Sequence, residues 1–101
     1  MARFTIRVEL HNARSGEDYE TLHAEMAKEG FGRTIQFEGD PTVYHLPTAE
    51  YNYLGNIDTD DVRDLAKKAA ARTGKQFSVL VTKSDGGRSI YNLPVTKLRV
   101  S

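Results

Sequence analysis

Three histidines, His11, His23 and His45, are the side chains of this sequence best suited to move a proton near neutral pH. No two of them have the spacing of a metal-binding histidine pair, and no cysteine is present as a nucleophile or a thiolate ligand. His45 falls in a long extended segment, where its imidazole could take the proton of an RNA 2′-hydroxyl without a metal ion. We therefore predict His45 as the catalytic candidate, with a solvated side chain of no catalytic role as the alternative.

Two arginines and two tyrosines have the chemistry of a nucleic-acid contact. Arg3 and Arg7 belong to one polar row of the first predicted strand, and guanidinium groups on an exposed sheet face suit phosphate. Tyr51 and Tyr53 could stack on the bases of a single strand. We predict these four as nucleic-acid-binding residues. The alternatives are cross-strand ion pairs for the arginines and a place at the core edge for the tyrosines.

The acidic side chains are concentrated at the start of one predicted helix and do not form a metal-ligand pattern. They are Asp58, Asp60, Asp61 and Asp64. Their spacing is not that of a calcium-binding loop, and negative charge at the positive end of a helix dipole explains them better. We predict no metal site and no cofactor.

The hydrophobic pattern predicts the elements that must position these residues. Residues 4–10 alternate between apolar and polar side chains, as a strand with one buried face does. Leu22 and Met26 have helical spacing, and Gly30 has the place of the left-handed residue that ends a helix. Residues 33–37 follow as the second predicted strand.

The middle of the chain contains a conflict of register. Within residues 43–54, Leu46 puts the even positions in the core, whereas Tyr51 puts the odd positions there. One sheet face cannot take both sets without a slip of one residue. Because proline cannot donate to a strand ladder, we predict a bulge or break near Pro47 and Thr48.

The second half of the chain repeats the order of the first. Thr59 is expected to cap a second helix whose buried stripe includes Val62 and Ala66. Residues 77–81 alternate as a strand that should lie beside residues 4–10, and residues 89–93 are predicted as a last short strand.

A near repeat supports two similar halves. Tyr44-His45-Leu46-Pro47 and Tyr91-Asn92-Leu93-Pro94 each close a stretch that is predicted as strand, helix and strand. Two right-handed β-α-β units give an α+β fold, the ferredoxin-like split β-α-β sandwich, with both helices on one sheet face. We predict a single domain over residues 1–94 and a C-terminal tail over residues 95–101.

The composition fits one small domain. The chain has 101 residues, of which 39% are hydrophobic, and its 14 basic and 14 acidic side chains cancel. Zero net charge argues against a protein held to nucleic acid mainly by phosphate neutralisation, but it does not exclude a local basic face. The absence of cysteine, of a signal peptide and of any apolar run near the ~18 residues of a membrane span predicts a cytoplasmic protein.

Three segments carry a resemblance to a known family. Residues 2–8, 44–51 and 77–81 are similar to the GhoS-like family, small bacterial proteins named for the antitoxin of a type V toxin–antitoxin system. The resemblance covers residues 2–94 and implies a ferredoxin-like fold and an endoribonuclease that destroys the messenger of a small membrane toxin. Related CRISPR nucleases have an acidic residue at the end of the first strand, where this chain has Glu9 and His11.

Three functions therefore remain as hypotheses, of which one, a small-molecule sensor built as a ferredoxin-like dimer, has no motif in its support. The first is an RNA-binding protein and endoribonuclease antitoxin whose partner is single-stranded RNA. The alternative is a non-catalytic protein–protein interaction module, a homodimer that pairs through exposed strand edges.

Overall fold

The computed structural model describes residues 2–13, 16–37, 39–84, 88–91 and 93–98, and these residues form an α+β fold. The helices are α1 (Gly16–Lys28) and α2 (Thr59–Ala71). The strands are β1 (Ala2–Leu10), β2 (Thr34–Ile35), β3 (Thr42–His45), β4 (Glu50–Gly55), β5 (Phe77–Ser84) and β6 (Val95–Leu98). They form one sheet in the order β4-β1-β5 and a second in the order β2-β3-β6. None of the helices in the described residues has the length and apolar character that a membrane crossing requires.

The first sheet is built around β1. Both neighbours run antiparallel to β1, with Ile6 opposite Tyr51 on β4 and opposite Val81 on β5. The prediction that residues 4–10 and 77–81 lie side by side is confirmed. β1 is therefore the central strand, and every second side chain of it faces the same way.

The helices cover one face of this sheet. The alternation in β1 buries Phe4, Ile6, Val8 and Leu10 while the residues between them stay exposed or half-exposed. Leu22 and Met26 of α1 and Val62 and Ala66 of α2 are fully buried in the same cluster, as the helical spacing predicts. The small alanines of α2, Ala66, Ala69 and Ala70, allow that helix to pack closely on the sheet.

Local backbone chemistry fixes the helix ends. At the end of α1, Gly30 has φ of 92°, and the N–H groups of Gly30 and Phe31 donate to Ala27 O at 3.0 Å and Met26 O at 3.1 Å. This is the predicted glycine-terminated helix end, with buried Phe31 folded back onto the core. For α2 the N-cap is Asp58, one residue before the predicted Thr59, because its carboxylate accepts from Asp61 N at 2.9 Å.

The predicted break in the middle segment is confirmed. β3 ends at His45 and β4 begins at Glu50, and a turn lies between them. The Glu50 N–H donates to Pro47 O at 2.9 Å, which closes the turn. Because of the break, the buried side changes from even to odd positions: Leu46, directly after β3, and Tyr51, in β4, are both buried. β2 is shorter than predicted, because only Thr34–Ile35 pairs with β3.

The last strand lies later in the chain than predicted. Residues 89–91 and 93 are not part of any strand, whereas Val95–Leu98, which falls in the predicted tail, forms β6 and pairs with β3. The pairing places the two near repeats beside each other, with the His45 N–H donating to Pro94 O at 2.8 Å. The repeats therefore meet in the second sheet instead of closing two separate halves.

Candidate nucleic-acid interface

The sheet face opposite the helices carries the polar side chains of β1. We call this surface the outer face. Its side chains are Glu50, Asn52 and Leu54 of β4, Arg3, Thr5, Arg7 and Glu9 of β1, and Ser78, Leu80, Thr82 and Ser84 of β5. The register arranges them in rows across the three strands, so that Thr5 lies between Asn52 and Thr82, and Arg7 lies between Glu50 and Leu80.

Arg88 lies over the Asn52–Thr5 row of the outer face. Its Nη1 donates to Asn52 Oδ1 at 2.6 Å and to Thr5 Oγ1 at 3.4 Å. Burial and, after it, the nearby charge of Arg3 lower the pKa of the Arg88 guanidinium. The side chains of Arg3 and Arg88 also line one groove, so both guanidinium groups can contact one ligand.

A groove of about 340 Å³ opens between these two arginines. We call it the Arg3–Arg88 groove. Its walls are Arg3, Gly30, Gly32, Thr34, Gln36, Asn52, Tyr53, Leu54 and Arg88. No carboxylate is among these described residues, and both hydrogen bonds of Arg88 use Nη1, which leaves Nε and Nη2 as donors. Such a site can hold an anion such as phosphate, because the anion relieves the repulsion between the guanidinium groups.

A second groove, of about 410 Å³, lies between the two sheets. We call it the inter-sheet groove. Its walls are Thr5, Ile35, Leu46, Pro47, Glu50, Arg88, Ser89, Ile90, Tyr91 and Leu93. The outer face is not open over its whole length, because residues 88–91 and 93 and the second sheet approach it around Thr5.

The far end of the outer face stays accessible and carries a histidine. Arg7 has 52% of its side chain exposed, and its Nη1 lies 3.7 Å from Glu50 Oε1. Beyond it, His11 Nε2 and Ser78 Oγ are joined by a hydrogen bond of 2.9 Å. A groove of about 170 Å³ runs along Arg7, Glu9 and Ser78. The imidazole that shares the outer face with Arg7 is therefore that of His11.

His45 does not join this constellation. It is the last residue of β3, lies opposite Thr34 in the second sheet, and is exposed. His45 is the predicted catalytic candidate, but the break after β3 puts it in a different sheet from Arg7. Within the described part of the chain, no hydrogen bond or ion pair joins the His45 side chain to the outer face.

The two tyrosines predicted to stack on bases belong to the helix-covered face. Tyr51 is opposite Ile6 and is fully buried, so a stacking role for it is wrong. Tyr53 is half-buried, and its ring packs on Phe31 and Phe4 with centroids 4.9 Å and 6.3 Å apart. Tyr53 forms one wall of the Arg3–Arg88 groove from the core side.

The buried Tyr51 is half of a structural pair. Its hydroxyl is 2.5 Å from His23 Nδ1, and the rings meet edge to face with centroids 5.6 Å apart. Burial, and next the charge of Arg33, lower the pKa of His23 from 6.5 to about 4, and burial raises the pKa of the Tyr51 hydroxyl. A neutral imidazole linked to a buried phenol joins α1 to β4 and leaves His23 no contact with the outer face.

No local pattern in the sequence indicates Arg88, which lines both grooves. The preceding residues, Asp85-Gly86-Gly87, lie outside the described residues, and Arg88 is 83 positions from Thr5 in the chain, so no local pattern indicates their contact. His11 is among the three candidate histidines of the sequence, and its place on the outer face follows because it continues the alternating polar row of Arg7 and Glu9. No family model, curated protein or solved structure matches this chain.

Proposed function

We propose that this protein binds single-stranded RNA and holds its phosphates in the Arg3–Arg88 groove. The observation that carries the proposal is the pair of arginines in a groove without a carboxylate, in a chain whose net charge is zero. Acidic and basic side chains are balanced overall but segregated locally, which gives a small site with an attractive potential for an anion.

The rest of the outer face suits an extended strand of RNA. Arg7 lies two rows from Arg3 on the same strand and is exposed, so a second phosphate can reach it. Glu50 compensates part of the Arg7 charge, and we therefore assign the larger share of the binding energy to Arg3 and Arg88. Contacts of this kind give affinity that depends on salt and little on sequence.

Binding of a fluorescein-labelled single-stranded RNA, followed by anisotropy over a range of salt concentrations, tests this function. We expect measurable affinity at low salt, and we expect Arg3→Ala and Arg88→Ala each to weaken it by about tenfold. Each variant should also reduce the slope of log K against log salt by about 0.7, the value for one phosphate of a single strand.

The matched control is Lys67→Ala, which removes an exposed cation from α2 on the other side of the sheet. Equal losses in Arg3→Ala and Lys67→Ala would show non-specific attraction, and no binding by the unchanged protein at low salt would contradict the proposal.

We extend the proposal to the architecture and the reaction that the family resemblance implies. The order β4-β1-β5 with two antiparallel neighbours is that of three strands of a ferredoxin-like sheet. Gly32 and Asn52 exchange backbone hydrogen bonds of 2.9 Å and 2.8 Å, which supports a fourth strand that is reduced to one bridge. The expected target is the messenger of a small membrane toxin.

For cleavage we propose His11 as the proton-transfer residue in place of His45. The 2′-oxygen attacks the adjacent phosphorus, the bond from phosphorus to the 5′-oxygen breaks, and the products are a 2′,3′-cyclic phosphate and a 5′-hydroxyl. One of His11 and Glu9 takes the 2′-hydroxyl proton, and the other supplies the proton for the leaving oxygen. The support is their place beside Arg7 on the accessible end of the outer face.

Product analysis with labelled RNA and chelator present tests the reaction. His11→Ala should lose about 10²–10⁴-fold in rate, and His45→Ala should keep the rate of the unchanged protein. Full activity in His11→Ala would remove that residue from the mechanism. Binding without any cleavage would leave the RNA-binding function and exclude the nuclease.

A second candidate is the interaction module, and the edge of the first sheet favours it. β5 is an edge strand of eight residues with one described neighbour, β1, and its Leu80 is 64% exposed. Such an edge can pair with a second copy. Sedimentation equilibrium measures this: a dimer weakened by Leu80→Lys supports it, and a monomer mass at all concentrations excludes it.

A further inference from the structure

We propose that the inter-sheet groove is a base pocket that selects guanine in the RNA strand held by the Arg3–Arg88 groove. The inference rests on the RNA binding proposed above and adds the chemical identity of one base. It is carried by three observations: the two grooves share Arg88, the inter-sheet groove has apolar walls, and one carboxylate is present among them.

Arg88 separates the two grooves. It lies over the Asn52–Thr5 row, Arg3 lies in the row on one side, and Glu50 lies in the row on the other. Successive rows are about 7 Å apart, because two residues of a strand rise by that amount. A phosphate that contacts Arg88 from the Arg3 side therefore has the inter-sheet groove within reach of a base of the same strand.

The size and walls of the inter-sheet groove suit a flat aromatic ligand. Its volume of about 410 Å³ lies in the range of roughly 300–1,000 Å³ that is usual for small-molecule sites. Ile35, Leu46 and Leu93 supply apolar walls, and Tyr91, which is 91% exposed, stands at the rim with its ring free to stack. A base that enters the groove leaves water for apolar contacts on both of its faces.

Glu50 determines which base edge is accepted. Its carboxylate lines the groove with 28% of the side chain exposed, and its ion-pair partner among the described residues is Arg7, whose Nη1 lies 3.7 Å from Oε1, beyond ordinary hydrogen-bond length. Both oxygens therefore keep acceptor capacity. Guanine alone presents two adjacent N–H donors on its Watson–Crick edge, N1–H and N2–H, whereas each donor of the other bases has an acceptor beside it. A bidentate pair with a carboxylate follows for guanine only.

Anisotropy with short labelled oligoribonucleotides tests the pocket. One oligonucleotide contains only uridine, a second has one central guanosine, and a third has inosine, which lacks the N2 amino group, at that position. We expect the guanosine oligonucleotide to bind about 5- to 150-fold more tightly than the uridine one, with inosine between them. Guanosine 5′-monophosphate should compete weakly, because it lacks the remaining phosphates.

Glu50→Gln is the diagnostic variant. Glutamine keeps one acceptor oxygen and replaces the other by an NH2 donor, which would face an N–H donor of guanine. The preference for guanosine should therefore disappear while the uridine oligonucleotide still binds. Removal of the carboxylate beside Arg7 should strengthen binding to every RNA by a similar factor, and the guanosine-to-uridine ratio is therefore the readout. The matched control is Glu20→Gln, an exposed carboxylate of α1, which should leave that ratio unchanged. Circular dichroism verifies that each variant is folded.

The outcomes separate this inference from the function on which it rests. Equal affinity for all three oligonucleotides, or a guanosine preference that survives Glu50→Gln, overturns the base pocket and leaves RNA binding intact. No affinity for any RNA overturns both. If the free mononucleotide binds as tightly as the guanosine oligonucleotide, the ligand is a nucleotide and the RNA strand is not required, which also overturns the inference.

Discussion

The two faces of the central sheet are made by the same three strands, yet they differ in almost every physical property. On the helix-covered face, Ile6 and Tyr51 lie opposite each other with no exposed surface. On the outer face, their chain neighbours Thr5, Arg7 and Asn52 are exposed or half-exposed and contact a guanidinium or a carboxylate. A shift of one residue along a strand thus moves a side chain from the core to the candidate ligand site.

The aromatic and ionisable residues have different roles on the two faces. Tyr51 and His23 look like functional residues by type, but both belong to the packed face and satisfy each other. Arg3 and Arg88 have no partner of opposite charge among the described residues, and they line an open groove. The face on which a residue lies therefore decides between structure and binding more firmly than its chemical type.

The largest difference in stability is expected between substitutions at two neighbouring residues of β1, one on each face. Ile6→Ala removes a fully buried side chain and should lower the free energy of unfolding by about 2–5 kcal/mol. Arg7→Ala, one position further, should change it by no more than about 0.5 kcal/mol. Urea unfolding of both variants measures the contrast, and similar losses in the two would show that the faces are not distinct.

Tyr51→Phe should have a smaller effect and should affect stability alone. The change removes the hydroxyl bonded to His23 Nδ1 at 2.5 Å and leaves a half-buried ring nitrogen without that partner. We expect a loss of about 1–3 kcal/mol in the free energy of unfolding, with RNA affinity within twofold of the unchanged protein. A large loss of RNA affinity in a folded Tyr51→Phe variant would restore the tyrosine to the binding site.

The same pair predicts a pH dependence. The pKa of His23 is lowered from 6.5 to about 4, so between these values the unfolded chain takes up a proton that the folded chain excludes. The contribution of neutral His23 to the free energy of unfolding should therefore be fully present above about pH 6.5 and should be lost as the pH falls towards 4. Carboxylates also titrate near the acid end, so the measurement is the difference in urea midpoint between the unchanged protein and His23→Asn. A difference that stays constant over this window would contradict a neutral, half-buried His23.

The smallest effect is expected at Leu80, a large apolar side chain of the outer face. Because it is 64% exposed, Leu80→Thr should change the free energy of unfolding of the monomer by no more than about 0.5 kcal/mol. Urea unfolding at two protein concentrations measures this. A larger, concentration-dependent loss would mean that a second copy covers β5 and that the outer face is partly an interface.

The sequence predicts the central strand and the break because both follow from local alternation. The two-residue period of β1 identifies its buried face, and the conflict between Leu46 and Tyr51 requires the interruption near Pro47 that the structure contains. The same alternation already puts Tyr51 in the core, so the stacking role contradicted the pattern from which the strand was predicted.

The parts that could not be predicted depend on contacts between distant positions. β6 pairs with β3 across about half of the chain, and no periodicity in four residues distinguishes such a strand from a tail. Arg88 reaches the outer face because residues 88–91 and 93 and the second sheet approach the first sheet around Thr5. The position of His45 depends on the same kind of contact, because the sequence predicts the break near Pro47 but not the second sheet to which β3 belongs.

The most direct test of the outer face as an RNA-binding surface is a titration of isotope-labelled protein with a single-stranded oligoribonucleotide, followed by amide chemical shifts at low salt. We expect shifts that centre on Arg3, Thr5, Asn52 and Arg88, with the amides of α1 and α2 unchanged. Shifts confined to the helices, or none at any RNA concentration, would contradict it.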